Sequence, residues 1–294
     1  MIHNNKSLGS KIFDGFNYIF LGTFALTTIL PFIYVIAGSF ATEKQLSTEA
    51  FFLIPKEVQL DAYKYILSSN TIINSAVVAI FITITGTIIN LFFSVTMAYP
   101  LSKKELVGRN KFINLVIITM VFSGGLIPTF LVVKGLGLLD TFWALMLPVA
   151  ISPFNLIVVK CFFQEIPKEL EEAAIIDGCS QYGVLWKIIL PLSKPVLAAV
   201  GLFYAVAHWN SFFSALIFLS SPEKWPLQVI LRQMVMLAQI SVGNLDALDS
   251  DFVKPAEQAI KMAVIVVSVI PILCVYPFIQ KYFTKGVMVG GIKG

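Results

Sequence analysis

Two long stretches of this chain contain no charged residue, and they limit the folds open to it more than any other feature. They are residues 15–42 and residues 65–102. A helix of about 20 apolar residues crosses the hydrocarbon core of a bilayer, and each stretch exceeds that length. Hydrophobic residues make up 57% of the chain and charged residues 13%, too little polar surface for a soluble domain of this size. The sequence therefore predicts an integral membrane protein.

Further apolar runs bring the predicted number of membrane-spanning helices to six. The first helix is expected to be retained, because residues 15–42 are too long for a signal peptide and no clear cleavage site follows them. The second is placed at residues 72–98, after a polar, interfacial start. The other four lie between Lys111 and Lys134, between Asp140 and Lys160, between Lys194 and Glu223, and from Met262 to Ile279. The predicted fold class is an all-α integral membrane protein.

The distribution of positive charge predicts that both termini lie in the cytoplasm. Thirteen of the 21 lysines and arginines then fall in inside segments, which is the bias expected of cytoplasmic connections. The same orientation places the charged connection at residues 165–195 on the cytoplasmic side.

This connection has the pattern of two short helices that meet at a glycine. Pro167 suits the first helical position, and Glu171 lies near the first turn, where a carboxylate favours the helix dipole. Gly178 suits the left-handed position that ends a helix. A second helix is predicted over residues 180–189, ended by Pro191. The amphipathic pattern alone is equally compatible with a linker that lies on lipid headgroups.

Seven residues of this connection are spaced as in the EAA loop of ABC importer permeases, which the segment resembles. The matching residues are Glu172, Ala173, Ala174, Gly178, Ile188, Leu190 and Pro191. In that family the loop forms a coupling helix that docks in a groove of a cytoplasmic ATPase. The resemblance therefore implies an ATPase-coupling role for these residues and for the neighbouring Glu171 and Asp177.

The resemblance extends over nearly the whole chain, to the smaller permease of maltose-type carbohydrate importers. Residues 208–212 and 280–294 are similar to patterns of that subfamily, and residues 123–128 resemble its complex-oligosaccharide branch. The implied architecture is the type I ABC importer permease fold with six transmembrane helices. The implied domains are residues 1–70 (cytoplasmic N-terminus, first helix and outer loop), residues 71–281 (transmembrane core of five helices, with the EAA loop at 165–195) and residues 282–294 (cytoplasmic tail).

The resemblance also implies function and partners. The expected function is that of the permease subunit of an ATP-driven importer of sugars, oligosaccharides in particular, in the bacterial cell membrane. The chain contains no G-x-x-x-x-G-K-[ST] phosphate-binding loop, so ATP and Mg²⁺ are expected on a partner ATPase, with no cofactor, metal or catalytic residue on this chain. The expected partners are a second permease, two copies of the ATPase, an extracellular lipid-anchored or periplasmic sugar-binding protein, and the lipid bilayer. A net charge of +4, dispersed along the chain, does not indicate nucleic acid.

Polar residues inside the predicted spans are the candidates for a substrate path. Amides and hydroxyls can hydrogen-bond a sugar, an aromatic ring can stack on it, and polar residues at membrane depth usually face the bundle interior. Consecutive helical residues point in different directions, so residues 208–211 cannot all line one cavity. The alternative is that such residues hydrogen-bond neighbouring helices and serve packing. The candidates are Asn90, Asn155, His208, Trp209, Asn210 and Ser211.

The sequence gives less support to two other functional classes, a secondary carrier and a membrane enzyme. A self-contained carrier driven by an ion gradient needs ionisable groups within its spans, and no Asp, Glu, Lys or Arg falls inside a predicted span. A membrane enzyme needs a metal cluster or paired carboxylates, whereas this chain has two histidines and three scattered cysteines, expected to be free thiols.

The outer segment 221–261 is either a solvated loop or a contact for the binding protein.

Overall fold

The computed structural model describes residues 8–240 and 257–290, and the described residues form helices joined by short connections. Residues 241–256 of the predicted outer segment 221–261, the first seven residues and the last four lie outside this range. The α-helices are α1 (Leu8–Ser39), α2 (Glu43–Thr48), α3 (Asp61–Ser68), α4 (Asn70–Ser102), α5 (Arg109–Val121), α6 (Leu126–Gly135), α7 (Trp143–Met146), α8 (Pro153–Glu165), α9 (Lys168–Ile176), α10 (Gln181–Val184), α11 (Leu190–Leu192), α12 (Lys194–Trp209), α13 (Phe213–Phe218), α14 (Leu227–Ile240) and α15 (Glu257–Gly290).

The first two predicted spans are single long helices. Within the described chain, α1 and α4 are the two helices long and apolar enough by themselves to cross a bilayer. Helix α4 begins at Asn70, so residues 70–75 of the polar start placed at an interfacial entry already belong to the helix. The sixth predicted run lies within α15, which continues through Pro271 and Pro277.

The third, fourth and fifth predicted spans are not single helices, which corrects the expectation of one helix each. Helices α5 and α6 meet at 117° across residues 122–125, where Gly125 takes a φ of 84°. Helices α7 and α8 are separated by residues 147–152, and α12 and α13 by residues 210–212. Glycine permits a left-handed break, and the prolines at 148 and 153 lack the N–H that a continuous helix would use. A count of apolar residues does not detect such breaks.

The connection at residues 165–195 folds into two helices, with one correction at its end. Gly178 follows α9 with a φ of 85°, as predicted for a helix-ending glycine. Ser180 Oγ then accepts a hydrogen bond from Gly183 N at 3.2 Å and caps the next helix. The prediction that Pro191 ends this helix is wrong, since the helix continues to Leu192. A π turn over Leu185–Ile189 widens the helix before the proline, which can then begin a turn where its missing N–H is not needed.

Contacts divide the described chain into two compact units. The first contains residues 8–69, 234–240 and 257–269. In it, the segment after α1 folds back on itself, because Ser39 Oγ and Tyr63 OH share a hydrogen bond of 2.8 Å and Gln59 N donates to Phe40 O at 2.8 Å. Within this unit, the apolar window of α1 is not buried. The unit therefore leaves the apolar surface of α1 uncovered.

The second unit contains residues 70–233 and 270–290, and α4 is its central helix. Helix α4 packs against α8 and α12. One hydrophobic cluster surrounds Ala98 near its C-terminal end and includes Val159 and Val200. A second cluster surrounds Ile82 nearer its N-terminal end and includes Met146 and Ala215. Burial of these side chains holds the shorter helices to α4 along its length.

Asp140 joins the turn before α7 to the turn after α13. Its Oδ1 accepts from the backbone N–H groups of Ser220 and Ser221, each at 3.0 Å. Its Oδ2 accepts from Ser221 Oγ at 2.6 Å and from Lys224 Nζ at 2.8 Å. Asp140 takes a φ of 57°, a left-handed conformation that aspartate tolerates better than most residues. The Lys224 ammonium and then the Ser221 groups hold the pKa of the Asp140 carboxyl well below its usual range.

We expect Asp140→Ala to lower the Tm of the purified protein at neutral pH, because four donors lose their acceptor. The folded pKa lies below the ordinary value of 3.8, so the carboxylate stabilises the fold above that pH and the stabilisation is lost as pH falls through the folded pKa. The difference in Tm between the parent and the variant should therefore shrink below about pH 4. Thermal unfolding in detergent at a series of pH values measures this.

The control for this prediction is Asp61→Ala, whose carboxylate pairs only with Lys64, at 3.2 Å on an exposed helix surface. Asp140→Asn removes the charge but keeps a residue that tolerates the left-handed region. Its loss of Tm therefore measures the effect of the charge without that of the backbone conformation. An equal loss of Tm in Asp61→Ala and Asp140→Ala would contradict the prediction.

Candidate functional site

An open cavity of about 760 Å³ lies in the second unit beside α4, α8 and α12. Its described lining contains amide, hydroxyl and aromatic side chains and no Asp, Glu, Lys or Arg. The structure brings five of the six predicted path residues to this cavity: Asn90, Asn155, His208, Asn210 and Ser211. The cavity thus offers uncharged hydrogen-bonding groups on an otherwise apolar wall.

Asn90 holds three elements together at the edge of the cavity. Its Nδ2 donates a hydrogen bond to Val149 O, in the break between α7 and α8. Its Oδ1 lies 2.6 Å from His208 Nε2 on α12, and because an amide oxygen only accepts, this nitrogen carries the proton. Asn90 and His208 are both buried. The carbonyl that the break frees from helical bonding is therefore satisfied by a side chain from α4.

Tyr204 makes a second connection across the same break. Ser152 N donates to Tyr204 OH at 3.0 Å, and Tyr204 OH shares a hydrogen bond of 2.7 Å with Ser94 Oγ on α4. Ser152 Oγ also accepts from Asn155 N at the start of α8. Tyr204 was not among the predicted path residues. It lies one helical turn before His208, so i, i+4 spacing from the predicted histidine would have found it.

Trp209 is the predicted path residue that the structure places elsewhere. Its side chain lines a separate cavity of about 170 Å³, shared with Thr83 and Pro271, whose wall is almost entirely apolar. The direction of Trp209 follows from its position next to His208 on the helix. The aromatic surface in the polar cavity comes instead from Phe154, Phe203 and Phe212.

The nine predicted coupling residues divide into an exposed group and a packed group. Glu172 and Ala173 on α9 are exposed, and so are Asp177 directly after it, Gly178 and Pro191. Ala174 is buried in the hydrophobic cluster around the end of α4, and Ile188 and Leu190 pack partly against that cluster. The ninth, Glu171, is half-buried. One side of α9 is therefore attached to the unit, while the other side is open and acidic.

Two ion pairs connect α9 to the end of α4 and the turn after it. Lys103 pairs with Glu171, and its ammonium lies 4.5 Å from the centre of the Tyr99 ring. Lys168 Nζ lies 2.7 Å from Glu105 Oε1. Burial lowers the pKa of Lys103, whereas the hydrogen bond to Glu105 raises the pKa of Lys168. These contacts join segments more than 60 residues apart, and no spacing rule in the sequence indicates them.

Among the residues that the structure describes, no group of three or more His, Cys, Asp and Glu side chains is placed to hold an ion.

Comparison with known proteins identifies the family. Residues 93–289 match the family described as binding-protein-dependent transport system inner membrane component. The chain belongs to this family. Its members are the membrane permease subunits of ABC importers, so this chain is a permease and not the ATPase.

Similar proteins cover the permease over nearly its whole length. Protein LplC of Bacillus subtilis (strain 168) is 56% identical, over 100% of this chain and 98% of its own. The polygalacturonan/rhamnogalacturonan transport system permease protein YtcP of the same organism is 52% identical, over 97% of this chain and 99% of its own. A chain in the crystal structure of a bacterial ABC transporter involved in the import of the acidic polysaccharide alginate is 34% identical, with a TM-score of 0.86 and coverage of 95% and 99%. The permease therefore has the type I importer fold.

We expect Gly86→Ala to disturb the polar cavity, because a Cβ at this position would lie 2.5–2.8 Å from three ring atoms of His208. The ring must move, and the hydrogen bond from His208 to Asn90 is then lost. Overpacking of this kind costs about 1–3 kcal/mol. The measurements are the Tm of the purified permease and the rate of uptake by the assembled transporter.

Gly22→Ala on α1 is the matched control, since nothing lies within 4 Å of a Cβ there. Adding His208→Ala to Gly86→Ala removes the clash and should recover part of the lost stability. A Gly86→Ala protein with the Tm of the parent would show that the close approach to His208 is not a constraint.

Proposed function

We propose that this permease imports oligosaccharides across the bacterial cell membrane with energy from ATP hydrolysed by a cytoplasmic partner. The observation that carries the proposal is that α9, in a chain of this family, is packed on one side and exposed on the other. A short helix is anchored on one side through Ala174 and presents an open acidic side through Glu172 and Asp177. A helix of this form is suited to dock in a groove with basic residues on another protein.

We propose further that the connection at 165–195 is the EAA loop and that six spans cross the membrane. The count of six treats α5 with α6, the segment from α7 to α8, and α12 with α13 as one span each. Both termini then lie in the cytoplasm, with the residue divisions 1–70, 71–281 and 282–294 as outlined from the sequence. The exposed apolar surface of α1 would be covered by lipid and by the second permease.

The proposed substrate class follows from the chemistry of the polar cavity. A saccharide offers many neutral hydroxyls and an apolar ring face. The amides of Asn155 and Asn210 and the hydroxyl of Ser211 match the hydroxyls, and the rings near them offer stacking surfaces. The relative named for polygalacturonan and rhamnogalacturonan transport, and the similar chain of the alginate importer, support a carbohydrate substrate. Trp209 is not part of this proposal, because it lines the apolar cavity.

The proposed assembly contains this permease, a second permease, two copies of a cytoplasmic ATPase that binds ATP and Mg²⁺, and an extracellular sugar-binding protein. No cofactor is assigned to the permease itself. Binding of the ATPase at α9 would pass its closure to the helices that line the cavity, and opening to one side at a time gives alternating access.

Reconstitution tests this function directly. The assembled transporter in proteoliposomes should take up at least one labelled oligosaccharide from a panel of oligogalacturonides, rhamnogalacturonan fragments and neutral maltotriose. We expect uptake to require ATP on the side of the membrane that carries the ATPase and the sugar-binding protein on the opposite side. The permease alone in vesicles should give no accumulation, and uphill transport by the permease alone would overturn the proposal.

We expect Glu172→Lys to uncouple the transporter, because it places a positive charge on the open side of α9 where a basic groove would meet it. Uptake should fall by about tenfold or more while ATP hydrolysis continues, a loss of the size typical of coupling energies. The measurement is sugar imported per ATP hydrolysed. Glu165→Lys, an exposed glutamate at the end of α8, is the control and should leave this ratio unchanged. An unchanged ratio in Glu172→Lys would remove α9 as the docking site.

A further inference from the structure

We propose that Lys103 and Glu171 are positioning residues that fix α9 to the end of α4, so that movement of α9 reaches the helix that carries Asn90. This inference rests on the proposed coupling role of α9 and names the contact through which that role would be carried out.

Helix α9 has little apolar packing to hold it. Ala174 is its buried residue, and its methyl group is small. Its larger apolar side chains, Leu170, Ile175 and Ile176, are all exposed. Burial of apolar surface therefore contributes little to the attachment of α9, and polar contacts with the rest of the unit gain importance.

The pair of Lys103 and Glu171 is the better protected of the two ion pairs that reach α9. Their side chains are 27% and 13% exposed, whereas those of Lys168 and Glu105 are 59% and 68% exposed. Water and salt screen an exposed pair strongly and a partly buried pair much less. The ring of Tyr99 below the Lys103 ammonium adds a cation–π contact and restricts where the charge can lie. The Lys103–Glu171 contact is thus the stronger and more directional connection.

The end of α4 also contacts the elements on either side of α9. Tyr99 OH donates to Gln181 Oε1 at 3.1 Å, at the start of α10. Gln164 Nε2 donates to Ser102 O at 3.2 Å, from the end of α8. Residues 99–103, the last turn of α4 and the residue after it, therefore contact the helices before and after α9 as well as α9 itself. A displacement of α9 together with these neighbouring helices would break several polar contacts with this stretch at once.

The same helix continues without interruption to the polar cavity. Asn90 lies on α4, thirteen residues before Lys103, the residue that directly follows this helix, and this separation corresponds to about 20 Å along the axis. A packed helix transmits displacement along its length as a rigid element. The Lys103–Glu171 pair at one end and the Asn90–His208 hydrogen bond at the other thus place the proposed docking helix and the cavity on one continuous element.

Reversal and exchange of the charges test the inference in the assembled transporter in proteoliposomes. Lys103→Glu and Glu171→Lys each place like charges together, and each should lower the sugar imported per ATP hydrolysed by about tenfold. The double variant restores opposite charges and should return the ratio to within about threefold of the parent, as expected for two residues that act through their mutual contact. The probe is the sugar that the parent transporter takes up from the panel above.

The exposed pair provides the matched control. Lys168 and Glu105 connect the same two segments, but their charges are screened by solvent. The substitutions Lys168→Glu and Glu105→Lys should therefore change the ratio by less than about twofold. If the single reversals at 103 and 171 do not assemble, Lys103→Arg and Lys103→Met decide. Arginine keeps the charge and should keep the ratio, whereas methionine keeps the length of the side chain and should lower it.

The outcomes separate this inference from the proposed function. A double variant as impaired as its single parents, or equal ratios for Lys103→Arg and Lys103→Met, overturns the inference while Glu172→Lys still uncouples transport. If Glu172→Lys leaves the ratio unchanged, the coupling role of α9 itself fails. Rescue by charge exchange supports the inference, since a residue that served only to stabilise the fold would not restore coupling specifically.

Discussion

A break in a helix exposes backbone groups that must find partners inside the protein, and this constraint organises the second unit. Residues 147–152 are such a break, between α7 and α8. The carbonyl of Val149 is satisfied by Asn90 from α4, and the N–H of Ser152 by Tyr204 from α12. Without these side chains the two groups would lose the partners that the protein provides for them. The break, the polar side chains and the packing of three helices therefore depend on one another.

The same interactions bear on the roles of the polar residues. Asn90 and His208 hydrogen-bond across helices, as the packing alternative expects, and they also line the cavity. Asn210 and Ser211 lie past the end of α12, where the chain leaves the helix. The cavity wall thus combines residues that maintain the fold with residues at an irregular backbone. Such a combination places a polar surface inside an apolar helical protein.

Much of the organisation could be predicted from the sequence, because it depends on local patterns. Charge-free runs predict α1 and α4, and the residue types around Gly178 predict the turn after α9. A count of apolar residues does not locate the breaks, because apolar residues occur equally in continuous and in broken helices, whereas Pro148 and Pro153 mark the break between α7 and α8 in the sequence. The contact between Lys103 and Glu171 depends on how distant segments pack, and the spacing of residues along the chain contains no information on it. The direction of Trp209 and the position of Tyr204 follow instead from their helical spacing to His208.

Gly86 gives the cavity an additional property that concerns sequence variation. The imidazole of His208 occupies the volume that any larger residue at position 86 would need. The two positions, 122 residues apart on different helices, therefore share one fixed volume. Close-packed interiors accept exchanges that conserve total volume far better than a one-sided increase. Substitutions that enlarge position 86 are thus compatible with this fold only when position 208 becomes smaller, so the pair is expected to vary jointly and in opposite directions.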